Sequence, residues 1–379
     1  MPLFSSPQKY LGIDFDSNGV KVVELKNESG RPKLVTYGYY DREMDKSIEE
    51  KDKAGYLEMA RLIKMVCREA KTTTTKAITS LPAYSVFSSI LNLPAMSPKD
   101  LPSAIKWEAK KVVPLPIDDM ILDWKILPEN VLTGDGTAAA AEETGDNNTG
   151  EVAARGFLKI SQADGKKFVR VLLTAAPKDL VKRYIDIFKA AGLNLLSLDT
   201  EQFALVRSLI GSDRSSLMIA DVGSVVTNIS IISDNVPILN RSIDVGGLTI
   251  TKSIASSLNI NLSRAEQFKH DIGMNSQRVG EGSVPKTIEA TLAPIVDEIK
   301  YSLNIYKGQG IKNIEKLILT GGSSLLPNLP EYLSNVLGLR VFLGDPWARV
   351  IYPEELKPVL DGVGPRFSVA IGLAMRDIE

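Results

Sequence analysis

Along "YLGIDFDSNGVKVVELK", residues 10–26, Leu11, Ile13 and Phe15 alternate with polar or small positions, the pattern breaks, and apolar residues resume around Lys21. Asn18-Gly19 between two such runs predicts a two-residue hairpin turn, because both residues tolerate positive φ. Residues 30–41 continue as a third strand, and 55–70 repeat apolar positions every three or four residues, predicting an amphipathic helix with Cys67 in its core-facing stripe. Two strand-like runs follow in "TTTTKAITSLPAYSVFSSILNLPAM". A helix is expected in "SPKDLPSAIKWEAKKVV", opened by Ser97-Pro98 or Ser103, then a proline-bracketed strand in "PLPIDDMILDWKILP". Residues 133–153 are small, acidic and glycine-rich. They cannot bury enough apolar surface to offset their ordering entropy, which predicts a floppy loop between two strands. "KFVRVLLTAAP" reads as a strand and "KDLVKRYIDIFKAAG" as a helix stopped by Gly192.

A second block opens near residue 213. Two or three strands are expected in "SSLMIADVGSVVTNISIISDNVPILNRSIDVGG", and two short helices follow, each stopped by Asn or Gly. "GEGSVP" reads as a loop before a long helix with Pro294 near its first turns. "KLILTGGSSLLPNLPEYLSNVLG" reads as strand, glycine turn and an immediately following helix. A short helix is expected in "GPRFSVAIGLAMRDIE".

The chain's 379 residues suffice for two lobes around a cleft. A net charge of −1 gives no footprint for nucleic acid, so none is expected as a partner. With one cysteine and one histidine, His270, an internal disulfide and every multi-histidine zinc pattern are excluded. No run of about 18 apolar residues predicts a membrane span, and the first ten residues do not read as a leader. A cytoplasmic location is the expectation.

The chemistry emerges from a repeat. "LGIDFDSNGVKVV" (11–23) and "MIADVGSVVTNIS" (218–230) share a strand, an aspartate, a serine three residues on and a second strand, so that Asp14 aligns with Asp221 and Ser17 with Ser224. Each copy opens one half of the chain, which predicts duplicated lobes facing each other. Paired turns of this kind can offer N–H groups and hydroxyls to a polyphosphate, with two carboxylates to hold Mg²⁺, mostly through waters. Gly321-Gly322 after a buried strand allows close approach of a flat ligand. Glu266 and Lys269 lie one helical turn apart and share a face, either as ligand contacts or as a solvated ion pair.

These four pieces, in this order, resemble the actin/Hsp70/sugar-kinase ATPase superfamily. The resemblance implies an α/β, ribonuclease H-like duplicated bilobed fold that binds ATP and Mg²⁺. It assigns Asp14, Ser17, Asn18 and Lys21 to the first phosphate loop and Asp221, Gly223, Ser224 and Thr227 to the second. Gly246-Gly247, Gly321, Gly322 and Ser323 complete the nucleotide site, with Glu266 and Lys269 at the ribose and base. Asp14 and Asp221 face the metal, and Glu201 or Gln202 orients the attacking water. "AIKWEAKKVVPLPIDDMILDW", "LDTEQFAL", "GDPW" and "GPRFSVAIGLAMR" further resemble the PilM family of type IV pilus assembly proteins, FtsA-like members of that superfamily.

That narrower resemblance implies a first lobe over 1–212 carrying an FtsA-type small domain at 75–180. It also implies a second lobe over 213–361 with a subdomain at 248–312, and a C-terminal helix at 362–379 returning to the first lobe. Its implied role is a cytoplasmic scaffold with at most slow ATP turnover. The scaffold binds the cytoplasmic N-terminal peptide of a PilN-like inner-membrane protein, joins the PilN–PilO complex to the pilus motor, and sits at the membrane through that partner. A homo-oligomer or ring is compatible with it. The peptide groove is expected where the first lobe meets the inserted domain, with Trp107, Pro114 and Pro116 in its wall or, alternatively, Trp107 in the core. Two departures stand out. Asp16 replaces a more usual glycine and is expected to oppose nucleotide binding, and the loop at 133–153 is long and acidic. The alternatives are an FtsA- or MreB-like cytoskeletal protein, for which a membrane-tethering C-terminal helix has no room after "GLAMRDIE", and a small-molecule kinase, for which no substrate-pocket motif is present.

Overall fold

A computed structural model describes residues 8–16, 18–42, 53–127, 161–163, 166–275, 283–308 and 313–378. Ser17 and the loop at 133–153 lie outside the described residues.

The first half runs β1 (Lys9–Asp16), β2 (Gly19–Glu28), β3 (Arg31–Asp41), α1 (Lys53–Glu69), β4 (Lys76–Leu81), β5 (Phe87–Pro94), α2 (Leu101–Val112), β6 (Met120–Ile126), β7 (Ser161–Ala163), β8 (Lys166–Pro177), α3 (Lys178–Ala191) and β9 (Asn194–Thr200). The connector α4 (Glu201–Leu205) continues as a π-turn over Val206–Ile210. The second half runs β10 (Leu217–Val222), β11 (Thr227–Ser233), β12 (Val236–Ile243), α5 (Gly247–Leu258), α6 (Leu262–Ile272), α7 (Ser283–Gly308), β13 (Lys316–Thr320), α8 (Leu329–Leu337), β14 (Arg340–Leu343), α9 (Lys357–Val363) and α10 (Ser368–Met375).

Two sheets of five strands have orders β3-β2-β1-β4-β9 and β12-β11-β10-β13-β14. Numbered within its own sheet, each is 3-2-1-4-5, with the first three strands antiparallel and the last two joined in parallel. The duplication extends to register. Asp14 pairs with Lys21 across the first hairpin, and Asp221 pairs with Asn228 across the second.

The first hairpin turns one residue earlier than expected. Gly19 is already in β2 and pairs with Asp16. A side chain at Gly19 would put Cβ 2.3 Å from the Tyr40 carbonyl, so glycine is required by the neighbouring strand rather than by turn geometry. Helix stops fall where the sequence put them: Gly192, Asn259 and Gly273 all have positive φ. Pro294, by contrast, lies well inside α7, because the helix already begins at Ser283. The glycine turn after β13 leads into one 3₁₀ turn, Gly322–Leu325, and α8 starts only at Leu329.

The segment expected as an inserted domain is shorter than 75–180. β4 is the strand between β1 and β9 of the first sheet, and α3 contributes Tyr184, Ile187 and Phe188 to the first-lobe core beside α1. What forms a separate sheet is β5-β8-β6, with β7 also on β8, covered by α2. Leu101, Ile105 and Ala109 are the buried stripe of α2, which leaves Trp107 on the opposite side and 66% exposed. Trp107 is therefore not core.

The C-terminal α10 is buried on every side. It crosses β1 and α4 at backbone contact: a Cβ on Gly12 would lie 1.8 Å from the Ala370 carbonyl, and one on Gly372 1.9 Å from the Ala204 carbonyl. This crossing joins the two halves around one core that includes Leu205, Trp347 and Phe367.

Candidate functional site

The two hairpins bring their aspartates toward one lysine. Lys21 Nζ donates to Asp14 Oδ2 at 3.0 Å, in a pair whose side chains are both largely buried. Burial by itself opposes the Lys21 charge, but Asp14, Asp16 and Asp221 outweigh it and hold the ammonium above its ordinary value. Asp221 is pushed up to about 7 by burial and by the Asp14 charge. Glu201, at the start of α4, is raised well above the carboxylate range by burial, Asp14 and Asp221. Asp14, Asp16 and Asp221 thus share one ammonium, Glu201 lies in the field of all three, and these hard oxygen donors suit a divalent cation. Among the described residues no group of three is close enough to ligate a metal directly.

This charge imbalance sets a pH dependence. Asp221 binds its proton more tightly when folded, so its contribution is full below its ordinary value of 3.8 and is lost as pH rises to about 7. Glu201 acts in the same direction. The melting temperature of the ligand-free protein should fall across this window, and Mg²⁺ should raise it more at neutral than at acidic pH. A melting temperature that climbs steadily to neutrality without Mg²⁺ would count against the carboxylate cluster.

A second group of predicted residues is built from backbone. Gly247 N–H donates to the Gly223 carbonyl at 3.0 Å, and Leu248 N–H donates to the Ser224 carbonyl at 2.8 Å. Ser323 Oγ donates to the same Gly223 carbonyl at 3.0 Å. Thr227 Oγ donates to the Val245 carbonyl at 2.6 Å, so its hydroxyl holds the turn before Gly246-Gly247. Side chains are excluded here: a Cβ would lie 2.6 Å from the Ser224 carbonyl at Gly246 and 2.1 Å from Ser323 Oγ at Gly247. Gly321 has a φ of +84°, and its missing side chain would fall 2.4 Å from Asp221 Oδ1, which joins the glycine loop to the carboxylate cluster. Gly322 instead faces Arg366.

Glu266 and Lys269 are not a solvated pair. Lys269 is buried, and its Nζ lies 2.7 Å from Glu266 Oε2, 3.1 Å from Thr251 Oγ and 3.3 Å from the Gly247 carbonyl. His270 reaches the other Glu266 oxygen. Burial raises Glu266, but His270 and Lys269 outweigh it and hold it down at about 2. Lys269 is lowered by burial against the opposing charge of Glu266. The pair supports the Gly247 turn from below.

Between Glu201 and Gln202, the structure separates the surroundings. Glu201 lies in the field of Asp14 and Asp221, whereas Gln202 lines a polar cleft with Tyr84, Phe87, Ser88, Asn240 and Ser242. Asn18 N–H donates to Asp16 Oδ1 at 2.7 Å, so the extra carboxylate closes the first turn on itself.

Sequence reasoning missed two residues. Asn228 was legible, since it stands seven residues after Asp221 as Lys21 does after Asp14. Arg366 was not. It pairs with Asp41, stacks over Tyr39 with 4.7 Å to the ring centroid, and packs on Gly322, bridging β3 to the glycine loop.

A family model described as type IV pilus assembly protein PilM matches residues 12–142 and 156–378. Among curated proteins, the chain is 28% identical over 182 residues to cell division protein FtsA of Rhizobium meliloti strain 1021, covering 40% of this chain and 38% of that protein. It is 24% identical over 227 residues to FtsA of Neisseria meningitidis serogroup B, covering 54% and 53%. The chain spans about half or less of the length of these relatives. Among solved structures, one described as a PilM-PilN type IV pilus biogenesis complex superposes with a TM-score of 0.78 at 24% identity, covering 99% of this chain and all of that one. MreB5 of Spiroplasma citri bound to AMPPNP superposes at 0.51 with 13% identity, covering 97% and 95%. EutJ of Carboxydothermus hydrogenoformans superposes at 0.54 with 13% identity, covering 99% and 91%. The fold is actin-like.

Proposed function

The chain belongs to the type IV pilus assembly protein PilM family, and from that premise we propose that it is a nucleotide-binding scaffold whose output is partner binding. ATP and Mg²⁺ occupy the site between the lobes. The partner is the cytoplasmic N-terminal peptide of a PilN-like membrane protein, through which the scaffold joins the PilN–PilO pair to the pilus motor at the inner face of the membrane. Among the described residues no helix is long and apolar enough to cross a membrane.

The observation that carries the nucleotide reading is the matched register of the two aspartate hairpins, with Gly321 packed against Asp221. Asp14 and Asp221 would hold Mg²⁺, largely through waters, and its charge would offset both the carboxylates and the phosphates. Backbone around Gly223, Gly246 and Gly247 faces the polyphosphate, and the Gly321–Ser323 loop faces the adenosine. The AMPPNP-bound neighbour of similar fold supports this reading, as the PilN-bound one supports the partner.

The peptide reading rests on the inserted sheet. Among the described residues β6 is an edge strand, and Ile121, Trp124 and Ile126 along it are exposed. An extended peptide can add to such an edge through main-chain hydrogen bonds. Calorimetry with Mg-ATP and with a synthetic PilN-like tail tests the whole proposal. Micromolar or tighter peptide binding beside slow turnover is expected, whereas rapid phosphorylation of a sugar or acetate without peptide binding would establish a kinase instead.

Asp16→Gly is expected to bind ATP several-fold more tightly, because it removes a charge near the phosphates and frees the Asn18 N–H. Weaker binding in that variant would make Asp16 a metal or water ligand.

A further inference from the structure

Glu201 is held from two directions. The backbone N–H of Ala83, in the turn between β4 and β5, donates to Glu201 Oε2 at 3.2 Å. The side-chain amide of Asn228, on β11 of the second lobe, donates to the same oxygen at 3.0 Å. Asn228 is fixed in turn by Ser242, whose Oγ donates to its amide oxygen at 2.6 Å. Both donors fall on Oε2, which leaves Oε1 as the oxygen free of these two bonds. A carboxylate pinned through one oxygen has a defined direction for the other.

We propose that Ala83, through its N–H, and Asn228, through its amide, are positioning residues that aim Glu201 Oε1 at the water attacking ATP. The inference rests on the nucleotide reading above. In the step they serve, the water oxygen bonds to the γ-phosphorus and the bond from that phosphorus to the β–γ bridging oxygen breaks. ADP leaves with the electron pair; of the water's two protons one stays on the phosphate formed and the other is released to solvent. Neither residue touches the reacting atoms; each acts through Glu201. Because one donor belongs to the turn that leads from β4 of the first lobe into the inserted sheet and the other to the second lobe, Glu201 is fully oriented only when both are docked against the connector α4.

Ala83→Pro removes the N–H and little else. Ala83 opens a 3₁₀ turn, where proline is tolerated, and the preceding Pro82 already has the extended ψ of 136° that a following proline requires. Single-turnover cleavage of Mg-ATP should slow about tenfold in Ala83→Pro, the size of one lost hydrogen bond, while calorimetric ATP affinity stays at the wild-type value. Ala83→Gly keeps the N–H and should keep the wild-type rate. Asn228→Ala should behave as Ala83→Pro does, and it decides the matter if the proline variant fails to melt cooperatively. Unchanged cleavage in Ala83→Pro or Asn228→Ala overturns the assignment, as does a wild-type protein that binds ATP and never cleaves it. Absence of ATP binding in the wild type would instead remove the nucleotide reading itself.

Discussion

Replacing Asp221 by alanine is expected to weaken Mg²⁺-dependent ATP binding by about 2–3 kcal/mol, roughly 30- to 140-fold, as for a lost charge-assisted contact. The same change should have the opposite sign on the ligand-free protein. Burial and Asp14 push the Asp221 carboxyl up to about 7, so its ionised form is a liability near neutrality when no cation is present. The variant should therefore melt higher than wild type in metal-free buffer above pH 7 while binding Mg-ATP worse. That pairing separates a cation-facing carboxylate from one that merely packs. Asp14→Ala should also lose affinity, but it removes the hydrogen-bonded partner of Lys21 and should melt lower. Unchanged ATP affinity in both variants would sink the site.

Excising residues 88–174 and joining Phe87 to Ala175 through an Asn-Gly turn is expected to abolish binding of a PilN-like peptide and to leave Mg-ATP binding in place. Phe87 and Ala175 face each other across β5 and β8, so a two-residue turn can close the gap. The cut spares β4, which the first sheet needs between β1 and β9, and α3, which its core needs. Removing 75–180 instead would take β4 and destroy the lobe. Phe203, Val236 and Ile238 lose the cover of Leu127 and Leu172, so the variant should melt lower than wild type. Within the full chain, Trp124→Ala at the β6 edge should cost about 2 kcal/mol of peptide affinity, the size of a lost aromatic anchor. Full peptide binding by the excised variant would move the docking site off the inserted sheet.

Local patterns carried far here because they are set by short-range physics. Alternation produced the hairpin strands, the helical stripe around Cys67 placed α1, and positive-φ residues at Gly192, Asn259 and Gly273 ended their helices. The repeat of Asp14 in Asp221 was enough to imply the duplicated sheets, since equal spacing of strand, carboxylate and strand gives equal register. The nearest misreadings were also local: Gly19 as a turn residue, where the Tyr40 carbonyl of the neighbouring strand decides, and Pro294 near a helix start, where α7 already begins at Ser283.

By itself, then, the sequence determined the elements, the twofold repeat and the residue types available to a phosphate and a cation. Only the tertiary structure decided which long-range neighbours those residues met. Parallel pairing put β4 into the first sheet although its sequence abuts the inserted segment. Helix rotation turned Trp107 to solvent, and packing buried Lys269 beside Glu266. Arg366 reached Asp41 across 325 residues, and Ala83 and Asn228 met on one oxygen of Glu201. Such contacts depend on how remote segments close together, and no periodicity within one segment encodes its partner across the fold.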